Sequence, residues 1–345
     1  MTQATQNPQE AMQQQAGKFL SQVAGYVGVR TMEIGISQGL LAEIGANEKG
    51  VTATDLAKTL KLDAMYVAVW CRAAYASELL ESADGVTFTL APFVDKLLLD
   101  RDFPGYIGGM PQVVVQPEFF DVFKENLPTG KNIWWNDCSP TFISMVSETG
   151  RPFYNRLVPN GLSQIAGLPE VLAGNAKVLD LACGSGYGLE RLAETYPTAS
   201  LVGLDGDAYS LGKVKERMTE LGIQDKVELV ESTLEDISAV EEYDAILINI
   251  SMHECRDIEQ VAERVHRALK PGGYFVISDF PFPATTAECR TVPARVLCGI
   301  QFFEALIGDQ LMPTQAFVDL FNRHSFKNVS SFDVTPVHAV SYGQK

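Results

Sequence analysis

The sequence predicts an α/β protein in two parts: a mostly helical N-terminal region with a small β-wing, then a mainly parallel sheet covered by helices on both faces. Three observations predict it. The chain has 345 residues, more than one compact core of ordinary size. Apolar residues recur at helical spacing near the N-terminus. From Lys177 onward, short apolar runs alternate with helix-spaced segments, the rhythm of strand–helix–strand units.

Phe19, Leu20, Val23, Val27, Met32, Ile36, Leu40, Leu41 and Ile44 follow a helical period from Gln14 to about Ile44, and Gly45 and the stretch up to Gly50 end that run. Thr52 or Thr54 caps a short helix carrying Leu56, Ala57 and Leu60, and Asp63 caps a second carrying Val67, Trp70, Ala74 and Leu79. ADGVTFTLAP then supplies an Asp-Gly turn and the alternating Val86, Phe88 and Leu90 of a β-wing. Helix, turn, helix and wing make a winged-helix-like arrangement, whose obvious reading is DNA binding. The second helix carries only Arg72 among Met65, Tyr66, Val67, Val69, Trp70 and Leu79, whereas a recognition helix needs polar and basic side chains. It reads as built for burial, in a scaffold or dimerisation domain.

Residues 101–170 read as a helical, aromatic-rich connector cut by prolines, and 171–345 as the sheet domain that follows the helical domain at 1–100. AKVLDLAC, ASLVGLD, KVELVES, YDAILINI and GYFVISDF supply its strands, GLERLAETY and LGKVKERMTELG two of its helices, and the tail FKNVSSFDVTPVHAVSYGQ the last strands.

The formal charge, 27 − 43 = −16, sets the surface against phosphate backbones and anionic lipids, so neither nucleic acid nor membrane is an expected partner. The six cysteines form no C-x-x-C pair and suit a reducing cytoplasm, and no metal site is expected. The polar, Gln-rich start reads as a frayed lead-in to a helix and not as a signal peptide, and no apolar run approaches the roughly 20 residues of a membrane span.

The strongest chemical signal is VLDLACGSGYG at 178–188, a strand running through Gly184-Ser185-Gly186 into a helix. Glycines let backbone approach a ligand, and the helix offers a partly positive N-terminus. Asp205 ends the next strand, where a carboxylate accepts both hydroxyls of a ribose. An NAD site is the competing reading. The spacing is G-x-G-x-G and not the dinucleotide G-x-G-x-x-G, and Asp180 stands where an NAD site would face pyrophosphate.

With VLDLACGSGYG, LVGLDGD, VELVESTLED, YDAILINISMHE and RALKPGGYFVISDF in this order, the chain resembles the class I S-adenosylmethionine (SAM)-dependent methyltransferases. With the N-terminal region included, it resembles the small-molecule O-methyltransferases that dimerise through a winged-helix domain. The resemblance implies a Rossmann-like domain with a seven-stranded sheet, SAM as donor, S-adenosylhomocysteine as product and a homodimer. It implies that Gly184, Ser185 and Gly186 line the methionine and ribose of SAM, with Asp180 near its amino group. Asp205 would hold the ribose hydroxyls beside Gly206, Thr233 and Leu234 would meet the adenine, and Asn249 and Ile250 would face the methyl donor.

For chemistry, the resemblance makes His253 the general base, followed by Glu254 and paired with Asp279. Asp257 matches a recurrent acid of the family and also suits a helix cap. Cys255 stands where the family carries an aromatic residue, and its later acid has only Asp309, out of register, as a counterpart. The expected acceptor is a hydroxyl of a small apolar or aromatic metabolite, with Trp134, Phe153, Phe282, Phe302 and Phe303 lining its pocket. An amine or carbon acceptor, a SAM-sensing winged-helix regulator and an NAD-linked oxidoreductase are the alternatives.

Overall fold

A computed structural model describes residues 7–345, which form two compact units divided between Val115 and Gln116. The stretch expected as a connector at 101–170 falls on both sides of that division. Residues 1–6 of the Gln-rich start lie outside the described residues.

The first unit opens with α1 (Pro8–Ser37), longer at its start than its apolar spacing indicates, because Asn7 caps it by accepting from Gln9 N and Pro8 occupies its first turn. Gly39, at φ +71°, breaks the run before α2 (Leu40–Gly45). Thr52 caps α3 (Ala53–Leu60) and Asp63 caps α4 (Ala64–Ala76), each by accepting from backbone N–H groups of the first turn. β1 (Val51–Thr52), β2 (Leu80–Glu81) and β3 (Thr87–Leu90) form the wing, a three-stranded antiparallel sheet with β3 in the centre. A short helix, α5 (Gly109–Val113), closes the unit.

α4 departs from the expectation of burial. Val67, Trp70, Cys71 and Ala74 enter the core, while Met65, Tyr66, Val69 and Tyr75 are exposed. α1 does the same, with Met12, Phe19, Leu20, Val23, Tyr26 and Val27 in solvent. Periodicity identifies the helix but not what covers its apolar side.

In the second unit, α6 (Pro117–Asn126), α7 (Pro140–Arg156) and α8 (Leu168–Leu172) precede the sheet. The strands are β4 (Lys177–Leu181), β5 (Ser200–Asp205), β6 (Val227–Glu231), β7 (Tyr243–Asn249), β8 (Leu269–Asp279), β9 (Lys327–Thr335) and β10 (His338–Gln344), in the order β6-β5-β4-β7-β8-β10-β9. The first five run parallel, and β10 lies antiparallel between β8 and β9. Between them come α9 (Tyr187–Thr195), α10 (Ala208–Glu220), α11 (Ile258–Ala268), α12 (Val292–Ile307) and α13 (Thr314–Arg323).

Alternate strand residues serve opposite cores. Ala245 and Leu247 join Leu189, Leu192 and Val214 of α9 and α10, while Ile246 and Ile248 join Val261, Val265, Phe317 and Phe321 of α11 and α13. The chain proceeds outward from β4 to β6, then returns to β7 beside β4, so the strand order reverses there. Crevices at such a reversal, beyond the carboxyl ends of the strands, are where open α/β sheets take ligands.

Candidate active site

Asp180, the Gly-rich turn, Asp205 and Asn249 stand at or near that edge. Asp180 on β4 is fully buried and accepts a hydrogen bond from the Tyr154 hydroxyl, 3.0 Å from Oδ1. Burial pushes its carboxyl up to about 7, against the lowering effect of the tyrosine bond. After β4 the backbone turns left-handed at Ala182, Gly184 and Gly186, with φ of +52°, +52° and +80°. Gly186 opens α9, and a Cβ there would meet Val214 Cγ1 at 2.8 Å. Gly184 has open space where a Cβ would stand, so backbone is presented at the crevice.

Asp205 ties this loop to β5, since Oδ2 accepts from Gly184 N at 2.8 Å and Oδ1 from Asp207 N at 2.9 Å. Each carboxylate oxygen keeps a lone pair for a ribose hydroxyl. Ser185 turns its carbonyl to Arg217, 3.1 Å away, and Gly206 is exposed beside Ser232. Thr233 is exposed and bonds Asp236, 2.8 Å away, at the start of a short helix, while Leu234 packs at the edge of the core. Asn249 ends β7, buried, and the next residue, Ile250, is held at φ +48° by its N–H bond to Ser278 O. A β-branched residue in that conformation is strained, as residues at functional edges often are.

Beyond Asn249, His253 is buried between two acids. Nδ1 lies 2.8 Å and 3.0 Å from the two oxygens of Asp279, at the end of β8. Nε2 faces Glu304 Oε2 at 3.5 Å, too long for a hydrogen bond, and neither atom has another partner among the described residues. Burial works against a charged imidazole here, but Asp279 and then Glu304 outweigh it and hold the pKa of His253 well above the ordinary value. Burial pushes Glu254 up to about 8, with repulsion from Glu304 adding to the effect. His253, Glu254 and Glu304 bring one ligand atom each within 4.8 Å of one another, a set able to hold a metal ion where none was expected.

Glu304 is the residue that the sequence reading missed. It comes from the last turns of α12 and supplies a second acid to His253, whereas Asp309, five residues on, pairs with Arg256 at 3.3 Å. Asp257 is the N-cap of α11, accepting from Gln260 N at 2.9 Å. Burial keeps the Cys255 thiol protonated.

The expected pocket rings separate into groups. Phe153 packs edge-on against Phe280 at 5.1 Å, and Phe280 lies 6.0 Å from the His253 ring. Phe303 is buried against Trp135 and Phe142 one residue before Glu304. Phe302 points instead to Phe120 and Phe123 of α6, and Trp134 lies exposed over Arg256. Phe282 is partly buried, its N–H shared between Phe280 O and Met312 O.

A doubly wound sheet with a Gly-rich turn, a carboxylate tied to that turn and a His–acid pair at its switch point is the architecture of an α/β domain that takes its ligand beyond the strand ends. Residues 172–319 match the family model described as a methyltransferase domain. The second unit thus carries a match to a methyltransferase domain. An uncharacterized methyltransferase of Synechocystis sp. is 33% identical over 111 residues, 31% of this chain and 49% of that protein. The chain spans from 21% to 49% of the length of the first curated relatives that it matches. Over nearly the whole chain the fold is that of the pyocyanin biosynthetic protein PhzM (TM-score 0.72, 17% identity, 96% of this chain and 98% of that one). It is also that of PigF, solved with S-adenosylhomocysteine (TM-score 0.70, 17% identity, 98% and 100%). No helix among the described residues is long and apolar enough to cross a membrane.

Proposed function

We propose that the protein methylates a hydroxyl of a small, largely apolar or aromatic metabolite. The observation that supports this most is the pair of buried, facing atoms without hydrogen-bond partners, His253 Nε2 and Glu304 Oε2, beside the donor crevice. SAM supplies a methyl carbon already activated on a sulfonium, so the protein's tasks are to position the acceptor and take its proton. Asp279 holds the ring proton on His253 Nδ1. With both flanking acids favouring the imidazolium, the free lone pair is that of Glu304, and we assign proton acceptance to it. His253 Nε2–H stabilises the oxygen as it loses its proton. This moves the base from His253, where the sequence placed it, to its neighbour.

On the donor side, we assign Asp180, Gly184, Ser185, Gly186, Asp205, Gly206, Asn249 and Ile250 to SAM, with Thr233 and Leu234 towards its adenine. Calorimetric titration should give micromolar binding of SAM and S-adenosylhomocysteine, weakened at least ~100-fold by Asp205→Ala through loss of two charge-assisted hydrogen bonds. Equal affinity in the variant would remove Asp205 from the site. The NAD alternative sits poorly with a buried carboxyl at the mouth of the loop.

The same reading includes a homodimer formed through the first unit, supported by the exposed apolar residues of α1 and α4. Light scattering should return about twice 37.7 kDa for the wild type. Leu20→Glu, placing a charge on that strip, should shift the mass towards one chain.

A further inference from the structure

Behind the donor crevice four buried or half-buried polar groups stand in line, drawn from α7, β10, β8 and β7. Arg156 Nε lies 3.0 Å from His338 Nδ1, His338 Nε2 lies 2.7 Å from Ser278 Oγ, and Ser278 Oγ lies 2.6 Å from Asn249 Oδ1. His338 and Ser278 are fully buried.

The direction of every bond follows from one end. A guanidinium only donates, so His338 Nδ1 accepts and the ring's proton sits on Nε2. Burial and the adjacent guanidinium charge both hold His338 well below its ordinary pKa, so the ring is neutral and has one proton to give. Nε2–H therefore donates to Ser278 Oγ, and the serine hydroxyl donates onward to Asn249 Oδ1. The asparagine amide is thereby oriented by its network, oxygen inward. Its Nδ2 is buried and has no hydrogen-bond partner among the described residues.

A buried donor without a partner opposes folding, so a relay that creates one points to a ligand with an acceptor atom. The place narrows the choice. β4 and β7 pair with Leu181 opposite Ile248, which sets Asn249 one step further, beside the start of the Gly-rich turn and on the strand next to Asp180. The methionine end of SAM carries an ammonium and a carboxylate. Asp180 suits the ammonium, and a neutral N–H donor beside it suits the carboxylate.

We propose that Arg156, His338 and Ser278 are positioning residues that lock Asn249 as an amide donor to the methionine carboxylate of SAM. The proposal rests on the reading that this crevice binds SAM. His338, on this view, is neither a core histidine nor a base, but a link that transmits a fixed donor direction from an arginine to an amide.

The test compares SAM with decarboxylated SAM, which lacks only that carboxylate, by calorimetry on the full chain. The wild type should prefer SAM by about tenfold or more, the contribution of a hydrogen bond to a charged group. In Ser278→Ala the amide loses its anchor, and in Asn249→Asp a carboxyl replaces the donor. Both variants should bring the ratio to about one or below, and in Ser278→Ala affinity for decarboxylated SAM stays within about twofold. Thermal melts verify that each variant is folded. A merely structural role would weaken both ligands alike, and that result, or an unchanged ratio in two folded variants, overturns the relay. Failure of the wild type to bind either ligand overturns the SAM reading along with it.

Discussion

Glu304→Gln should lower the rate of methyl transfer by about 10²- to 10⁴-fold, the usual contribution of a positioned general base, with S-adenosylhomocysteine affinity kept within about twofold. Glutamine preserves the shape of the side chain on α12 and its packing beside Phe303, but it cannot take a proton. It also strips His253 of one flanking carboxylate, leaving the ring held by Asp279 alone at 2.8 Å. The measurement is steady-state transfer of labelled methyl groups to any phenolic acceptor that supports turnover, with KM and kcat resolved separately. A fall in kcat at constant KM is the expected split. An unaltered kcat would return proton removal to His253.

Gly188→Ala should cost about 3 kcal/mol of stability and abolish cofactor binding, because overpacking a rigid site forces its walls apart. A Cβ at Gly188 would stand 2.2 Å from Tyr154 Cε1 and 2.6 Å from Asp180 Oδ2. Tyr154 is 7% exposed and Asp180 fully buried, and the two are bonded to each other, so neither can retreat independently. Gly212→Ala on α10 is the matched control, since a Cβ there meets nothing within 4 Å. It should gain about 0.5–1 kcal/mol from helix propensity alone. Urea unfolding of both variants measures the contrast, and similar midpoints would show that the Tyr154–Asp180 wall yields more easily than its burial implies.

The proposed donor half of the site was legible because its residues lie at or just after strand ends. Asp180, the glycines, Asp205, Asn249, His253 and Asp279 each terminate or follow a parallel strand, and the sheet brings strand ends together whatever the loops do. Glu304 was not legible. In VPARVLCGIQFFEALI it is a single acid on a helix, which reads as solvent-facing until the fold buries it against His253. His338 was not legible for a similar reason, since its partners lie on α7 and β8, and no spacing links Arg156 to Ser278. The rings of Trp134 and Phe302 show the opposite limit. Their presence is plain in the composition, but a helix residue one position from Phe303 points about 100° away, enough to send Phe302 to α6. α1 likewise announces itself by period, yet nothing local to its sequence tells a buried apolar stripe from an exposed one.

Asp180 gives the donor crevice a titration of its own. Its carboxyl is raised from 3.8 to about 7, chiefly by burial. Across that window the folded chain keeps a proton that the unfolded chain has released, so the group adds stability at acid pH that is lost as pH rises through 7. A positive charge delivered beside Asp180 reverses the preference and drives the proton out. SAM carries an ammonium and a sulfonium, whereas its thioether product retains only the ammonium, so the pull on that proton is stronger with donor than with product. On the proposed SAM reading, arrival of the donor is therefore coupled to release of the Asp180 proton, and departure of the product to its return.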